Sequence, residues 1–343
     1  ENDYAVVRVR HNLFSNSDVG GLFMIRSAVE NRGDVNRVYG GDANIRLPGH
    51  IDWSSFLVNT DAPGLSGSQY AYQSSLNREG NFLHVKAGLM AVGENFTNDL
   101  GFLRRTGIRK WSLDTGVRPR LPSLRKRGLR EMHAHVVWNY FTDLDGNEVA
   151  KRLHTGLTFF FNNGGFGQIA FNPTTESLTN PFTINAAVPD IAVGKYDWTT
   201  YELSYTADPS RVISGSARLT WGGLWTGNQL SVRTTLTVTP SYRFRGSLSL
   251  ARTDVDLEVP NGKFVTEIWT ARANYSFTTN MFVDAFAQYD ANTNRLNANI
   301  RLNVIHHPLS NLYIVFNEQR FMTDGGPAPG RSIIVKLTQM LSY

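Results

Sequence analysis

Apolar and polar positions alternate with a period of two residues along much of this chain. In Arg295–Val304 every second side chain is apolar, and each side chain between them is Arg or Asn. A β-strand directs successive side chains to opposite faces, so as a strand this segment has one apolar and one strongly polar face. The same alternation recurs in Ala5–Leu13, Val212–Trp225, Gln229–Thr239, Tyr242–Ala251 and Glu267–Phe277. We therefore predict an all-β protein.

The lengths of these segments favour strands that cross a membrane over the strands of a soluble sandwich. Sandwich strands usually have about 5–6 residues, whereas Val212–Trp225 alternates over 14 residues. A strand that crosses a bilayer at a tilt needs roughly 9–11 residues. Aromatic side chains such as Tyr275 and Phe277 end the apolar faces, as in the interfacial girdles of outer-membrane barrels. Arg and Asn in mid-strand are tolerated where they line a water-filled lumen.

Short and long connections alternate along the whole chain. Counting back from Tyr343 gives about 19 strand-like segments, and every second connection is short. The short connections are His307–Ser310, Thr278–Asn280, Pro240–Ser241, Ala207–Arg211, Asn162–Gly165, Arg78–Gly80, Pro48–His50 and Ser15–Asp18, with Arg120–Gly128 as the exception. The other set includes the long connections Gly93–Gly107, Asn172–Gly194 and Met322–Arg331. Outer-membrane barrels have short periplasmic turns and longer extracellular loops.

These patterns together predict one domain over residues 1–343, a transmembrane antiparallel up-and-down β-barrel of outer-membrane type with about 18–20 or more strands and no separate soluble domain. Closed bacterial barrels normally have an even number of strands. An odd count therefore leads us to expect a further strand before Tyr4–Phe14, and the chain to be the C-terminal part of a longer one. The surrounding lipid and the localisation would be those of the bacterial outer membrane.

The last segment also has the features of a final barrel strand. Its apolar positions share one parity with the terminal aromatic residue: Ile333, Val335, Leu337, Leu341 and Tyr343. Such an ending resembles the C-terminal signal that barrel-assembly machinery recognises. We expect this machinery to be a partner during biogenesis.

Composition narrows the possible classes further. Apolar residues are 41 % of the chain, and no stretch approaches the roughly 18 consecutive apolar residues of a membrane helix. Cys is absent, which excludes disulfides, thiolate metal sites and Cys nucleophiles. The net charge of +5 is spread along the chain, so we expect no nucleic-acid partner. The densest basic run, Arg118–Arg130, is interpreted as a solvated turn at a membrane edge.

Several segments together resemble a known family. They are Asn36–Asn44, Val92–Arg105, Trp221–Trp225, Phe316–Arg320 and Val335–Leu341. In the same order they resemble the C-terminal barrel, a domain of unknown function, of bacterial outer-membrane proteins that carry an N-terminal domain similar to family-9 carbohydrate-binding modules. The resemblance implies an outer-membrane barrel and, by association, a link to glycan or polymer uptake. It implies no catalytic or binding residues, and the carbohydrate-binding-like domain does not occur in this sequence.

Arginines on the predicted polar faces are the clearest candidates for lining the lumen. They are Arg8, Arg10, Arg218, Arg233, Arg243, Arg245, Arg272, Arg295 and Arg301. Pore-lining Arg residues tune selectivity, so a cationic lumen would favour anionic or sugar-like solutes. Alternatively, these side chains pair with acidic residues such as Glu202 and Asp284 and brace the interior.

Histidines form a second candidate group. His133, His135 and His154 lie on neighbouring predicted strands, and two histidines on one face could bind metal or act as bases. No Ser or Asp completes a catalytic constellation with them. We interpret them as structural or solvated, and predict no catalytic residues, no metal site and no cofactor.

Three loop segments complete the candidates. Asp143–Glu148 reads DLDGNE, like the start of a calcium loop, but it joins two strands, and Asp-Gly is a hairpin signal. We therefore predict a hairpin turn there. Gly93–Gly107 and Asn172–Gly194 would fold inward as constrictions or outward as receptors. We expect these two loops to be the main functional surfaces.

Three functions remain open. The leading hypothesis is a porin-like channel or uptake component for polar solutes, glycan-related or anionic. The alternative is a structural or accessory barrel subunit that binds other envelope proteins. An outer-membrane hydrolase is less favoured because the sequence contains no convincing triad or carboxylate pair, so we predict that the chain is not an enzyme.

Overall fold

The computed structural model describes residues 1–31, 33–103, 105–323 and 329–340. Within this part of the chain there are 19 β-strands and one short α-helix. The strands are β1 (Asn2–Leu13), β2 (Ser17–Ala28), β3 (Val35–Leu47), β4 (Ile51–Asp61), β5 (Tyr70–Glu79), β6 (Leu83–Val92), β7 (Ile108–Val117), β8 (Leu129–Asp143), β9 (Glu148–Phe161), β10 (Phe166–Leu178), β11 (Gly194–Thr206), β12 (Ile213–Leu224), β13 (Gly227–Ser241), β14 (Phe244–Asp256), β15 (Lys263–Thr278), β16 (Met281–Asp290), β17 (Arg295–His307), β18 (Ser310–Phe321) and β19 (Gly330–Thr338). The helix α1 is Pro122–Arg125. None of the helical structure described is long and apolar enough for a membrane span.

Every two consecutive strands, from β1–β2 to β18–β19, pair antiparallel. The result is a continuous up-and-down sheet, and the predicted class is confirmed: an antiparallel β-barrel of outer-membrane type with 19 described strands. The longest strand, β15, has 16 residues. Among the described residues, β1 and β19 form no ladder with each other.

The two faces of the sheet differ in polarity as the alternation predicts. Leu236 on β13 lies opposite Leu248 on β14, and these side chains are 53 % and 48 % exposed. One residue away, Thr235 lies opposite Ser249, and their hydroxyl oxygens are 2.9 Å apart in a hydrogen bond. A surface of contiguous exposed apolar side chains is covered in the native environment. The apolar face is therefore the outer, lipid-facing surface and the polar face is the interior.

Connection lengths follow the predicted alternation. Residues 242–243 join β13 to β14, whereas residues 93–107 and 179–193 are the longest connections at the opposite end. The exceptional connection, residues 118–128, contains α1. The segment that resembled a calcium loop is a hairpin turn, in which the Asp143 carboxylate accepts hydrogen bonds from the backbone N–H groups of Asp145 and Asn147, at 3.0 and 2.8 Å.

The second long loop was predicted to begin at Asn172, which is earlier in the sequence than its observed start. Strand β10 continues through Pro173 to Leu178, so the connection starts at residue 179 and not at Asn172. Proline has no N–H to donate, so it usually lies at the end or the edge of a strand. In the structure, β10 keeps its pairing with β11 through Pro173, and the ladder to β9 is interrupted only between Phe171 and Thr174.

Candidate functional site: the inner wall of the barrel

The 93–107 loop folds onto the inner face of the barrel. Its Phe96 is only 3 % exposed and packs in an apolar cluster with Val38, Ala71, Val92 and Ile108. These partners lie on β3, β5, β6 and β7. Burying an aromatic side chain is a large favourable term, because rings of this kind remove roughly 150–250 Å² from water. The loop is therefore held by an apolar anchor and not only by its covalent ends.

Polar contacts fix both sides of the same loop. On one side, the buried Asn36 side chain donates from Nδ2 to Thr97 Oγ1 at 2.9 Å, and its Oδ1 accepts from the Asp99 backbone N–H at 3.2 Å. Arg26 forms an ion pair with Asp99 at 2.7 Å. On the other side, Arg105 pairs with a carboxylate on β10, described next. The loop thus reaches from β2 and β3 towards β10 across the interior.

The carboxylate that holds this far side is buried and doubly paired. Glu176 on β10 is 4 % exposed and pairs with Arg105 of the loop and, at 3.1 Å, with Arg152 on β9. A buried carboxylate is tolerated when opposite charges and hydrogen bonds compensate for its lost hydration. The sequence left open whether this loop folds inward or outward, and in the structure it folds inward.

The 179–193 loop also covers inner-face residues at the long-loop end. Val188 and Ile191 are buried against Val255 and Leu257, and the Phe182 and Ile191 backbones exchange hydrogen bonds of 3.0 and 2.9 Å. The Trp225 ring lies 5.4 Å from the Phe182 ring, centroid to centroid. Both long loops therefore line the interior.

Four of the predicted lumen arginines are paired with acidic side chains. Arg8 pairs with Asp42 at 2.7 Å, Arg218 with Glu202 at 3.4 Å, Arg301 with Asp284 at 2.9 Å, and Arg10 with Asp18. Each of the acidic partners lies on a strand beside or near that of its arginine. For these four positions the bracing alternative describes the observed contacts.

The other five predicted arginines have no acidic partner within ion-pair distance among the described residues: Arg233, Arg245 and Arg272, and also Arg243 and Arg295, which are described below. Arg233 lies directly opposite Arg218 across the β12–β13 ladder. Like charges directly opposite each other are unfavourable without a counter-charge. The Arg272 guanidinium lies 5.2 Å from the centroid of the Phe286 ring. These side chains leave an excess of positive charge on this part of the wall.

The excess charge surrounds a concave region of about 770 Å³ on the inner wall. It is lined by polar side chains of β13 to β17, including Arg245, Arg272, Arg301 and Asn299. Asp284 is the acidic side chain of this lining. The region is large enough for a small hydrated solute to contact several guanidinium groups at once.

Two of the predicted arginines differ in setting from the others. Arg243 lies outside the strands, in the turn 242–243, with its guanidinium carbon 5.4 Å from the Tyr242 ring centroid. The prediction that it lies on a strand face was therefore wrong, because β13 continues through the predicted turn Pro240–Ser241 and the turn comes two residues later. Arg295 is the first residue of β17, opposite Asp290 and Phe321.

Four imidazoles form a row across the inner wall near the short-turn end. His84 on β6, His133 and His135 on β8, and His154 on β9 follow one another with ring centroids 4.9, 4.6 and 5.0 Å apart. The three histidines named from the sequence are thus brought together. His84 was missed, although its inward parity on β6 could have indicated it.

The histidine row is anchored at both ends by hydrogen bonds. His84 Nε2 lies 3.0 Å from Asp114 Oδ1, and His154 Nδ1 lies 2.5 Å from Asn172 Oδ1. Between these ends, the Nε2 atoms of His135 and His154 are 3.0 Å apart. No group of three His, Asp or Glu side chains that could hold a metal ion occurs in the part of the chain that the structure describes.

The fold and its interior define the class of protein: an outer-membrane-type β-barrel with a polar, partly cationic inner wall and two inward-folded loops. No family model and no curated protein matches the chain. Among solved structures, the chain is similar to Salmonella typhi OmpF in complex with daunomycin, with 10 % sequence identity and a TM-score of 0.42, over 82 % of this chain and 89 % of that one.

Proposed function

We propose that this chain is a porin-like channel of the bacterial outer membrane that passes polar solutes passively and favours anionic ones. The observation that carries the proposal is the group Arg233, Arg245 and Arg272, which lies on the inner wall without acidic partners among the described residues. We favour glycan-derived acids as the solute class. Their negative charge suits the positive inner wall, and the family that the sequence resembles is associated with glycan uptake. The role proposed is not enzymatic.

The electrostatic argument depends on where charge is balanced and where it is not. On the β1–β4 part of the wall, Arg8 and Arg10 face Asp42 and Asp18, so their field is largely cancelled. On the β13–β17 part, the positive charge exceeds the negative. A lumen lined with one sign of charge raises the local concentration of oppositely charged solutes. The 93–107 loop would add size selection by occupying part of the cross-section.

Planar-bilayer measurements test this proposal. In a KCl gradient we expect the reversal potential to have the sign of anion selectivity, because the unpaired guanidinium groups attract chloride. Replacing the three arginines together, Arg233→Gln, Arg245→Gln and Arg272→Gln, should move the reversal potential towards zero. Raising the ionic strength should weaken the selectivity of the unaltered protein, since the Debye length falls from about 10 Å at 0.1 M to about 3 Å at 1 M.

Arg243→Gln is the matched control. It removes one arginine by the same substitution from the turn 242–243 and none from the inner wall, so the reversal potential should stay unchanged. Cation selectivity in the unaltered protein, or a barrel that does not conduct under any voltage or salt condition, would contradict the proposal. Folding of each variant is checked by its mobility before and after heating in detergent.

Outer-membrane lipid, barrel-assembly machinery during biogenesis and other envelope proteins are the partners that fit this proposal. The apolar outer face supports the first of them, because a wide band of exposed Leu, Ile, Val and aromatic side chains requires a non-aqueous environment.

A further inference from the structure

We propose that His135, His154 and Gln168 hold a divalent first-row transition-metal ion, best matched by Cu²⁺, on the inner wall of the barrel. His135 lies on β8, His154 on β9 and Gln168 on β10. The geometry that carries the proposal is the convergence of two imidazole Nε2 atoms to 3.0 Å, with the Gln168 amide within 3.3 Å of both. The site does not depend on the proposed channel function.

The hydrogen bonds of the other ring nitrogens direct two lone pairs at each other. His135 Nδ1 lies 3.3 Å from the His133 backbone oxygen, which can only accept, and we assign the proton of that ring to Nδ1. His154 Nδ1 lies 2.5 Å from Asn172 Oδ1, and with this amide orientation we assign the ring proton to Nδ1 here too. In neutral imidazole one nitrogen donates and the other accepts. Both Nε2 atoms therefore point unprotonated lone pairs into the same small space.

A cation bound by both lone pairs removes their repulsion. The distance between the two Nε2 atoms then indicates the angle between the two ligands at the metal. Imidazole nitrogens bind such metals at about 2.0–2.1 Å, so two of them in adjacent positions at a right angle lie about 2.9 Å apart. At a tetrahedral angle they lie about 3.3 Å apart. The observed 3.0 Å is nearer to the right angle. Tetragonal coordination by nitrogen and oxygen ligands is characteristic of Cu²⁺ and Ni²⁺, and Cu²⁺ binds a given site of this kind more tightly.

Gln168 supplies the third ligand. Its Nε2 lies 3.2 Å from His135 Nε2 and 3.3 Å from His154 Nε2, and without a cation the amide NH₂ can donate to both rings. Rotation of the amide by half a turn exchanges this nitrogen for the carbonyl oxygen, which is a metal ligand. Water from the lumen fills the remaining positions. The three ligands lie on adjacent strands, so the ion would connect β8, β9 and β10.

The sequence around the site leaves space for this convergence. Gly156 on β9 lies directly opposite His135. A Cβ at this position would lie 2.5 Å from His135 Cε1 and 2.8 Å from Gln168 Nε2. Any larger residue would therefore push the ligands out of position. The Asn172 contact behaves like the outer-shell hydrogen bond that orients many metal-binding histidines.

Copper titration of the chelator-treated protein in detergent tests the proposal. The exposed pair His306 and His307 is removed by His306→Ala and His307→Ala, so that it does not contribute. In this background we expect one saturable Cu²⁺ site whose electron paramagnetic resonance spectrum shows two coupled imidazole nitrogens. His135→Gln or His154→Gln should weaken binding by more than the roughly 10- to 100-fold that loss of an outer-shell partner costs. Asn172→Leu should weaken it by about 10- to 100-fold.

His84→Gln is the matched control, because His84 belongs to the same row but bonds Asp114. It should leave the copper affinity and the spectrum unchanged. The proposal is overturned if the protein with His135 and His154 intact binds no copper saturably. It is also overturned if the double variant His135→Gln and His154→Gln retains the site, or if His84→Gln abolishes it. Folding is checked by heat-dependent mobility, so a lost site in a misfolded variant is recognised.

Discussion

At the scale of single residues, two glycines determine how closely the imidazoles of the histidine row approach one another. Gly116 on β7 lies between His84 and His133, and a Cβ there would be 2.7 Å from each ring. Gly156 has the same role beside His135. Glycine in a strand interior is costly and often marks a close approach of another group. Here it is the side chains of neighbouring strands that occupy the space.

Gly156→Ala should therefore displace His135 and Gln168. We expect it to destabilise the folded barrel by about 1–3 kcal/mol, the range for overpacking at a well-packed position, and to weaken copper binding. Urea unfolding of the protein refolded into lipid vesicles measures the first effect. Gly21→Ala is the control, since a Cβ at that position meets nothing closer than 3.9 Å. Equal stability of the two variants would show that the space at Gly156 is not used as described.

The residue pattern predicted that His133 and His135 share a face, but it missed His84 and did not show that the four imidazoles meet. His133 and His135 share a face by parity alone, and this was visible in the sequence. Their contact with His84 and His154 depends on the ladders of β6, β7, β8 and β9, which fix how far each strand is shifted along its neighbour. A shift of one residue reverses the face, so register cannot be read from one strand.

At the scale of elements, most strands could be predicted from the sequence, whereas for the loops only their relative lengths could be predicted. Period-two alternation gave the strands because lipid on one side and water on the other impose it at every residue. The direction in which the 93–107 loop folds depends on Asn36 and Glu176, which are distant in sequence from each other and lie on β3 and β10. No local pattern within the loop contains that information.

Removing both of these contacts should loosen the polar sides of the loop from the inner face, while Phe96 still anchors its apolar part. We expect Asn36→Ala with Glu176→Gln to increase single-channel conductance and its fluctuation, because the loop would then leave part of the cross-section. The cost in stability should be on the order of 1–3 kcal/mol, below that of a fully buried ion pair because both arginines reach solvent.

Arg37→Gln is a suitable comparison for the loop variant. It removes an exposed ion pair with Asp61 near the same end of β3, and neither side chain belongs to the 93–107 loop. Its conductance should equal that of the unaltered protein. If the double loop variant also conducts without change, the loop does not narrow the pathway.

At the scale of the whole molecule, the class of the fold was predictable and the charge balance of the interior was not. Nine arginines were assigned to the lumen by parity, but the sequence could not tell which would find a carboxylate. Asp42 and Asp18 face Arg8 and Arg10, whereas Arg233 faces Arg218. These pairings come from the register of the complete sheet, as does the placement of Arg243 in a turn.

The most direct test of the barrel itself uses the absence of Cys from the chain. Single cysteines are introduced along β17 by Asn297→Cys, Ala298→Cys, Asn299→Cys and Ile300→Cys, and each variant is reconstituted into vesicles. A charged, water-soluble thiol reagent should label positions 297 and 299, which face the interior, and a lipid-borne quencher should quench a fluorophore at positions 298 and 300. Equal labelling of all four positions, or quenching at 297 and 299, would contradict a membrane-spanning barrel with a water-filled interior.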